Sequence, residues 1–211
     1  DAVVLNNNCS ANPDRHLFLD VLVTKIDQYG ERFKPLPEGE RRAKAKALEE
    51  SLIRFVENGG GLMAVHGAIV IFNKSEPFGE MLGGNFAFHP KQQEVVATPV
   101  EPDHPLVAAF GGKPFTQIDE PYIFSGAYAK KNFRPLLVMD TPKLEHKDMS
   151  QITGDVRYIS WIKTHGKGRV FYVSPSHNAQ SFEDPRLLRY FLDGLQYALG
   201  DLVADASPRK P

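Results

Sequence analysis

The run Asn58-Gly59-Gly60-Gly61-Leu62-Met63-Ala64-Val65-His66-Gly67-Ala68 decides how this chain is read. Four consecutive apolar residues without alternation describe a strand covered on both faces. The glycines before it end a helix, because glycine takes the left-handed cap conformation without a Cβ penalty. The histidine directly after it, with Gly67 giving the chain room to turn, forms a strand–turn–helix elbow that lifts one side chain above a sheet. Upstream, residues 38–58 are helical in spacing: Leu48, Leu52, Phe55 and Val56 stand at i, i+4, i+7 and i+8, with charges on the other face. A helix, a glycine stop, a buried strand and an elbow make an α/β unit.

Working outward, residues 3–5 form a short apolar strand stopped by asparagines, and residues 14–29 read as a loop or short helix. Residues 75–82 read as a helical turn closed by Gly83-Gly84. Strands are expected at 93–97, 136–139, 159–162 and 169–174, the last two joined by a turn at Gly166-Lys167-Gly168. The final helix opens with Asp184 as N-cap and Pro185 at its first position. Leu188, Phe191, Leu192, Leu195 and Leu199 form its apolar stripe up to Gly200. Strands alternating with helices predict a layered α/β fold with a mainly parallel sheet. One domain over residues 1–200 and a flexible tail over 201–211 are expected.

The 211 residues hold 42% hydrophobic and 24% charged side chains, which excludes a disordered chain. Lysine plus arginine (25) almost cancels aspartate plus glutamate (26), so nothing draws the chain to nucleic acid or an anionic membrane. No apolar stretch is long enough to span a bilayer. Cys9 is the single cysteine, so no internal disulfide forms and either cytoplasm or periplasm suits the chain. Opening at Asp1 on a strand already under way, the sequence is expected to lack an N-terminal portion.

In open α/β sheets, ligands gather at the carboxyl ends of strands. That rule points to residues 6–9, to His66-Gly67 and to residues 174–178, which include His177. His89 and His104 both precede prolines, which holds them extended. His104 reads as the cap of a helical stretch over 106–110, whereas His89 is open to a functional or a structural role. His16, His146 and His165 read as solvated. Asp119-Glu120 precedes Pro121-Tyr122-Ile123-Phe124, and a carboxylate beside aromatics suits a base, a metal ligand or an acceptor for a sugar hydroxyl. Glu120 is the better candidate, since Asp119 also serves as a local turn residue. Phosphate-binding, dinucleotide-binding and zinc-protease signatures are missing, and the elbow lacks a hydrolase serine.

Taken together, the glycine–strand–His66 segment, Leu82-Gly83-Gly84-Asn85-Phe86 with His89-Pro90, Asp103-His104-Pro105, Asp119-Glu120-Pro121-Tyr122-Ile123-Phe124, Trp161, and Gly166-Lys167-Gly168-Arg169-Val170-Phe171-Tyr172 leading to His177 resemble the ThuA (trehalose-utilisation) family. The resemblance implies a flavodoxin-like three-layer sandwich related to the glutamine amidotransferases, with N-terminal strand–helix units absent from this chain. Amidotransferases carry a cysteine at the elbow; His66 stands there instead, so that activity is not expected. The resemblance also implies use of trehalose and related sugars, including 3-keto intermediates. One departure is that Asp155-Val156-Arg157 stands where many members have Asp-His-Pro.

The resulting expectation is an enzyme of carbohydrate metabolism acting on a sugar or keto-glycoside as hydrolase, lyase or isomerase. A non-catalytic sugar-binding or interaction domain is the alternative. His66, Glu120 and His177 are the expected catalytic residues; Asn7, His89, Tyr122 and Trp161 the expected substrate contacts. His66, His89 and His177 together would suit zinc or a similar divalent ion. A small sugar is the expected partner, and self-association into a homo-oligomer stays open.

Overall fold

The computed structural model describes residues 1–6, 8, 14–152 and 157–209. Its strands are β1 (Ala2–Leu5), β2 (Gly61–Val65), β3 (Asn85–Phe88), β4 (Gln93–Pro99), β5 (Phe115–Asp119), β6 (Ile123–Ser125), β7 (Arg134–Met139), β8 (Arg157–His165) and β9 (Gly168–Val173). The α-helices are α1 (Leu17–Leu19), α2 (Ile26–Tyr29), α3 (Glu38–Glu57), α4 (Glu76–Leu82) and α5 (Pro185–Leu199). A π turn, Asp20–Thr24, links α1 to α2, so the helical reading of the first segment holds. No helix among the described residues is long and apolar enough to cross a membrane.

Seven strands make one sheet in the order β1-β2-β9-β8-β7-β4-β5, and β3 pairs with β6 in a separate ribbon. The fold is mixed α/β, but the sheet is not mainly parallel. Only β1–β2 and β2–β9 run parallel; the other four pairings of this sheet are antiparallel. Chain connectivity accounts for this. β8 and β9 are joined by a turn at Gly166-Lys167, and only antiparallel neighbours can be joined so tightly.

Side-chain alternation along β9 assigns the layers. Phe171 packs on Tyr190 of α5, while Tyr172 packs on Trp161 and Phe124 beneath the opposite face. α5 therefore covers one face, and α3 and α4 the other. A Cβ at Gly194 would meet the Phe171 ring at 2.3 Å and one at Gly168 would meet the Val56 carbonyl at 2.0 Å. At these two positions glycine permits the close approach of helix and sheet.

Both long helices bury part of the expected stripe, Val56 in α3 and Phe191 in α5, with Leu52, Phe55 and Leu195 packed partly against the core, but each is rotated so that other expected leucines face solvent. In α5 the buried residues are Leu187, Tyr190, Phe191, Asp193, Gly194, Tyr197 and Ala198, whereas Leu188 and Leu192 are 46% and 47% exposed. The Gly194 contact and a hydrogen bond between the Tyr190 and Ser160 hydroxyls (2.6 Å) set that register. In α3 the inward residues are Ala45, Glu49, Ile53 and Val56, and Leu48 faces solvent. Glu49 is drawn inward by His16, which is half-buried and bonded at 2.9 Å, and so is not a solvated histidine. His165 and His146 are half-buried too, one against Glu57 and the other against the Phe88 ring.

Several residues of the expected tail make contacts with the domain. Leu202, Ala204 and Ala206 pack against the core, and Asp205 pairs with Arg134 at 3.2 Å.

Candidate functional site

Three strand ends meet at one place. β2 ends on His66, the chain after β9 carries Ser174, Ser176 and His177, and β5 runs into Asp119-Glu120. β5 lies four positions from β9, about 19 Å away in a flat sheet. Yet the Asp119 carboxylate accepts the His177 backbone N–H at 3.4 Å, so the sheet curls and the loop after β9 reaches across. The β3–β6 ribbon closes the side, bringing Phe86 and His89 against Tyr122. Asn73 clamps this ribbon by accepting the Phe86 N–H (2.8 Å) and donating to its carbonyl (3.0 Å).

His66 sits at the elbow with a left-handed backbone, φ +46°. Such a conformation in a non-glycine residue is held only where surrounding structure enforces it. Its ring Nδ1 is 2.6 Å from the Ser174 carbonyl oxygen. A carbonyl only accepts, so Nδ1 carries the hydrogen, and the neutral ring presents the Nε2 lone pair. That lone pair faces Glu120 Oε2 at 3.2 Å and His177 Nδ1 at 3.2 Å; the latter two are also 3.2 Å apart. Three acceptor-capable atoms at mutual contact need a shared proton or a cation among them.

Burial dominates the electrostatics. It lowers the His66 pKa, opposed by the Ser174 carbonyl and Glu120, so the neutral base is favoured. Asp119, 2% exposed, is pushed up to about 7 by burial, although the N–H groups of Glu120, His177 and Ser176 pull the other way. Burial likewise raises the Tyr122 phenol, reinforced by the charge of Glu120 and by a hydrogen bond with it.

His66, His89, Glu120, Tyr122 and His177 line a cavity of about 340 Å³ together with Asn6, Asn8, Arg15, Phe86 and Ser176. The Ser176 hydroxyl is buried there with no hydrogen-bond partner among the described residues. A buried hydroxyl without a partner on a cavity wall is a place for a ligand's polar group.

Of the residues expected from sequence, His66, Glu120, His177, His89 and Tyr122 come together. His89 stands slightly apart: its Nδ1–H donates to the Pro90 carbonyl (2.8 Å) and its Nε2 is 3.7 Å from Glu120. The tight three-atom group is His66, Glu120 and His177, so His89 is not one of its three members. Trp161 is elsewhere: it is 0% exposed, stacks on Phe133, and donates its indole N–H to the Leu82 carbonyl at 2.8 Å. It belongs to the core rather than to the cavity. Asn7 and Cys9 lie outside the described residues. His104 caps its 3-10 turn by accepting the Leu106 N–H.

Sequence reasoning did not single out Arg15 as a cavity residue or the Asp119 carboxylate as the acceptor of the His177 backbone N–H. The run Asp119-Glu120 holds the only local signal. Which of the two acids faces the ligand is decided by the curl of the sheet.

Comparisons with known proteins agree with this architecture. A putative ThuA-like protein from Parabacteroides merdae superposes with a TM-score of 0.59 at 17% identity, covering 99% of this chain and 77% of its own. A putative ThuA-like protein from Bacteroides uniformis gives 0.56 at 18% identity, covering 92% and 66%. A cytoplasmic protein from Salmonella typhimurium gives 0.57 at 14% identity, covering 98% and 72%. At these identities the likeness is one of fold alone. No protein among curated sequences matches the chain. The family model for trehalose utilisation, ThuA, does match, over residues 38–198. That span holds every described residue of the His66–Glu120–His177 group, and the chain belongs to the ThuA family, whose name places it in carbohydrate metabolism.

Proposed function

We propose that this chain is an enzyme acting on a sugar or keto-glycoside by histidine–carboxylate acid–base chemistry. The observation that carries the reading is the triangle of His66 Nε2, Glu120 Oε2 and His177 Nδ1, each 3.2 Å from the other two. His66, kept neutral by burial and held by Ser174, has its basic nitrogen turned to the cavity. Removing a proton beside a ketone requires a base of that kind. Glu120 and His177 receive and return protons, and Tyr122 with Phe86 offers an apolar wall to a sugar ring. Exposed Asn6 and Asn8 and the unpartnered Ser176 hydroxyl are available to sugar hydroxyls.

The same triangle fits a divalent ion. Two imidazole nitrogens and a carboxylate oxygen suit zinc or a similar metal, whose tetrahedral ligands lie about 3.4 Å apart. The His66 Nδ1–H bond to a backbone carbonyl is the outer bond that metal-ligating histidines make. A bound ion would supply a Lewis acid for the oxygen on which charge develops. Glutamine amidotransferase activity is outside this reading, because the elbow carries His66. The flavodoxin-like sandwich is kept for the parallel β1–β2–β9 part, where helices cover both faces and His66 and His177 follow the strand ends.

The test is elemental mass spectrometry on untagged protein, alongside product analysis with sugars and keto-glycosides. About one zinc, manganese or nickel per chain, lost in His66→Ala and His177→Ala, supports the metal-assisted form. Unchanged turnover in a folded His66→Ala variant overturns the catalytic assignment. Saturable sugar binding without product would favour a binding domain.

A further inference from the structure

Three described non-glycine residues have a left-handed backbone: His66, Arg15 (φ +48°) and Lys131. Lys131 merely ends a 3-10 turn. His66 and Arg15 line the same cavity. The backbone of Arg15 and of the residues after it is tied down: Asn73 N–H donates to the Arg15 carbonyl (3.3 Å), and Leu17 N–H, two residues on, donates to the Ile71 carbonyl (2.8 Å). The strain is therefore anchored to the segment that follows the His66 elbow.

The guanidinium of Arg15 lies over the Phe86 ring at 5.5 Å from its centroid. Its sequence neighbour Asp14 is turned to Lys74, and no carboxylate among the described residues pairs with Arg15. Arginine stays charged at any physiological pH, and its planar fork matches the two oxygens of a carboxylate or phosphate. A half-buried, permanent cation with no anionic partner among the described residues thus shares a cavity with the Glu120 group and the Ser176 hydroxyl. Lining of this kind is unneeded for a neutral sugar, whose hydroxyls are met by amides and hydroxyls.

We propose that Arg15 is a specificity-determining residue that grips an oxyanion on the substrate, so that the cavity takes an anionic sugar, a sugar acid or a sugar phosphate. This rests on the carbohydrate reading above. Phe86 holds the guanidinium plane, and the acid–base group faces the ring that the anion anchors.

Calorimetric titration separates the two ideas. The probes are glucose, glucuronate, glucose 6-phosphate, acetate and inorganic phosphate, each added to the wild-type protein, to Arg15→Gln and to Arg15→Lys. Expected is binding of glucuronate or glucose 6-phosphate about ten- to a hundredfold tighter than glucose, the magnitude of a charge-assisted hydrogen bond. Whichever of the two binds tighter identifies carboxylate or phosphate as the anion. The preference should vanish in Arg15→Gln, with glucose binding unchanged, and survive in part in Arg15→Lys. Equal binding of glucose and the anionic sugars, or a preference that persists in Arg15→Gln, overturns the Arg15 assignment and leaves the carbohydrate reading standing. Acetate or phosphate binding as tightly as the sugars, and only with Arg15 present, would keep the anion site and overturn the carbohydrate reading. Binding of none of the five overturns both.

Discussion

Two of the protein's histidine–carboxylate contacts, at His16 and at His66, are opposites. At His16, Nδ1 accepts the Leu19 backbone N–H (3.3 Å), so the hydrogen sits on Nε2 and is donated to Glu49 at 2.9 Å. Donor meets acceptor on both sides of the ring. At His66, Nδ1 donates to the Ser174 carbonyl, and the Nε2 lone pair is left facing Glu120 and His177. The residue types are the same, but one contact is complete and the other is short of a proton or a cation. The backbone partner of Nδ1 makes the difference: an N–H in the first case, a carbonyl in the second. A histidine whose outer nitrogen is committed to a carbonyl is poised for chemistry; one that accepts an N–H is a structural cap.

The largest effect expected from this comparison is on turnover. Glu120→Gln keeps the shape but replaces an acceptor with an amide able to donate toward the His66 lone pair. Turnover should fall about 10²- to 10⁴-fold, the range for loss of an acid–base group. In chelator-treated protein the melting temperature should hold or rise, because the amide completes a hydrogen bond that the carboxylate leaves unmade. A variant that loses stability while keeping its activity would mean that this contact, too, is a finished structural pair.

The His16 contact should respond the other way. His16→Ala leaves Glu49 buried without its main partner and removes the cap on Leu19. Stability should fall by about 1–3 kcal/mol, read from denaturant unfolding, with turnover per folded molecule unchanged. A loss of turnover matching that of Glu120→Gln would break the distinction between the two sites.

The contrast explains what could be read in advance. The helix cap at Asp184, the β8–β9 turn and the buried β2 strand all follow from local chemistry, and each is present. His66, His177 and Glu120 were findable because strand ends and an acidic pair beside aromatics leave local marks. The direction of pairing in the β7–β4–β5 part left none, and neither did the inward face of α5. There Gly194 and Tyr190 meet the sheet while Leu188 and Leu192 face solvent, and both contacts depend on Phe171 and Ser160 far along the chain. Trp161 shows the same limit: an aromatic within a family-like segment is equally suited to stacking on sugar and to filling a core. Only the Leu82 carbonyl, 79 positions away, decides it. Arg15 escaped because a backbone angle and contacts far along the chain bring it to the cavity, which composition does not record.

The finest test is one of pH. Burial alone would raise the Glu49 carboxyl, but hydrogen bonds from His16 and Ser75 outweigh it and hold the pKa below the usual carboxylate range. An acid whose pKa is lower folded than unfolded adds stability above its unfolded pKa, about 4.3, and loses it as pH falls through the folded value. The stability difference between wild type and Glu49→Gln should therefore be constant near neutrality and shrink below about pH 5. Urea midpoints measured from pH 7 down to pH 3 would show it. A difference that stays flat across that range would mean the His16–Glu49 contact gains nothing from the charge on Glu49. The completeness of that hydrogen bond, and the contrast it provides with His66, would then rest on packing alone.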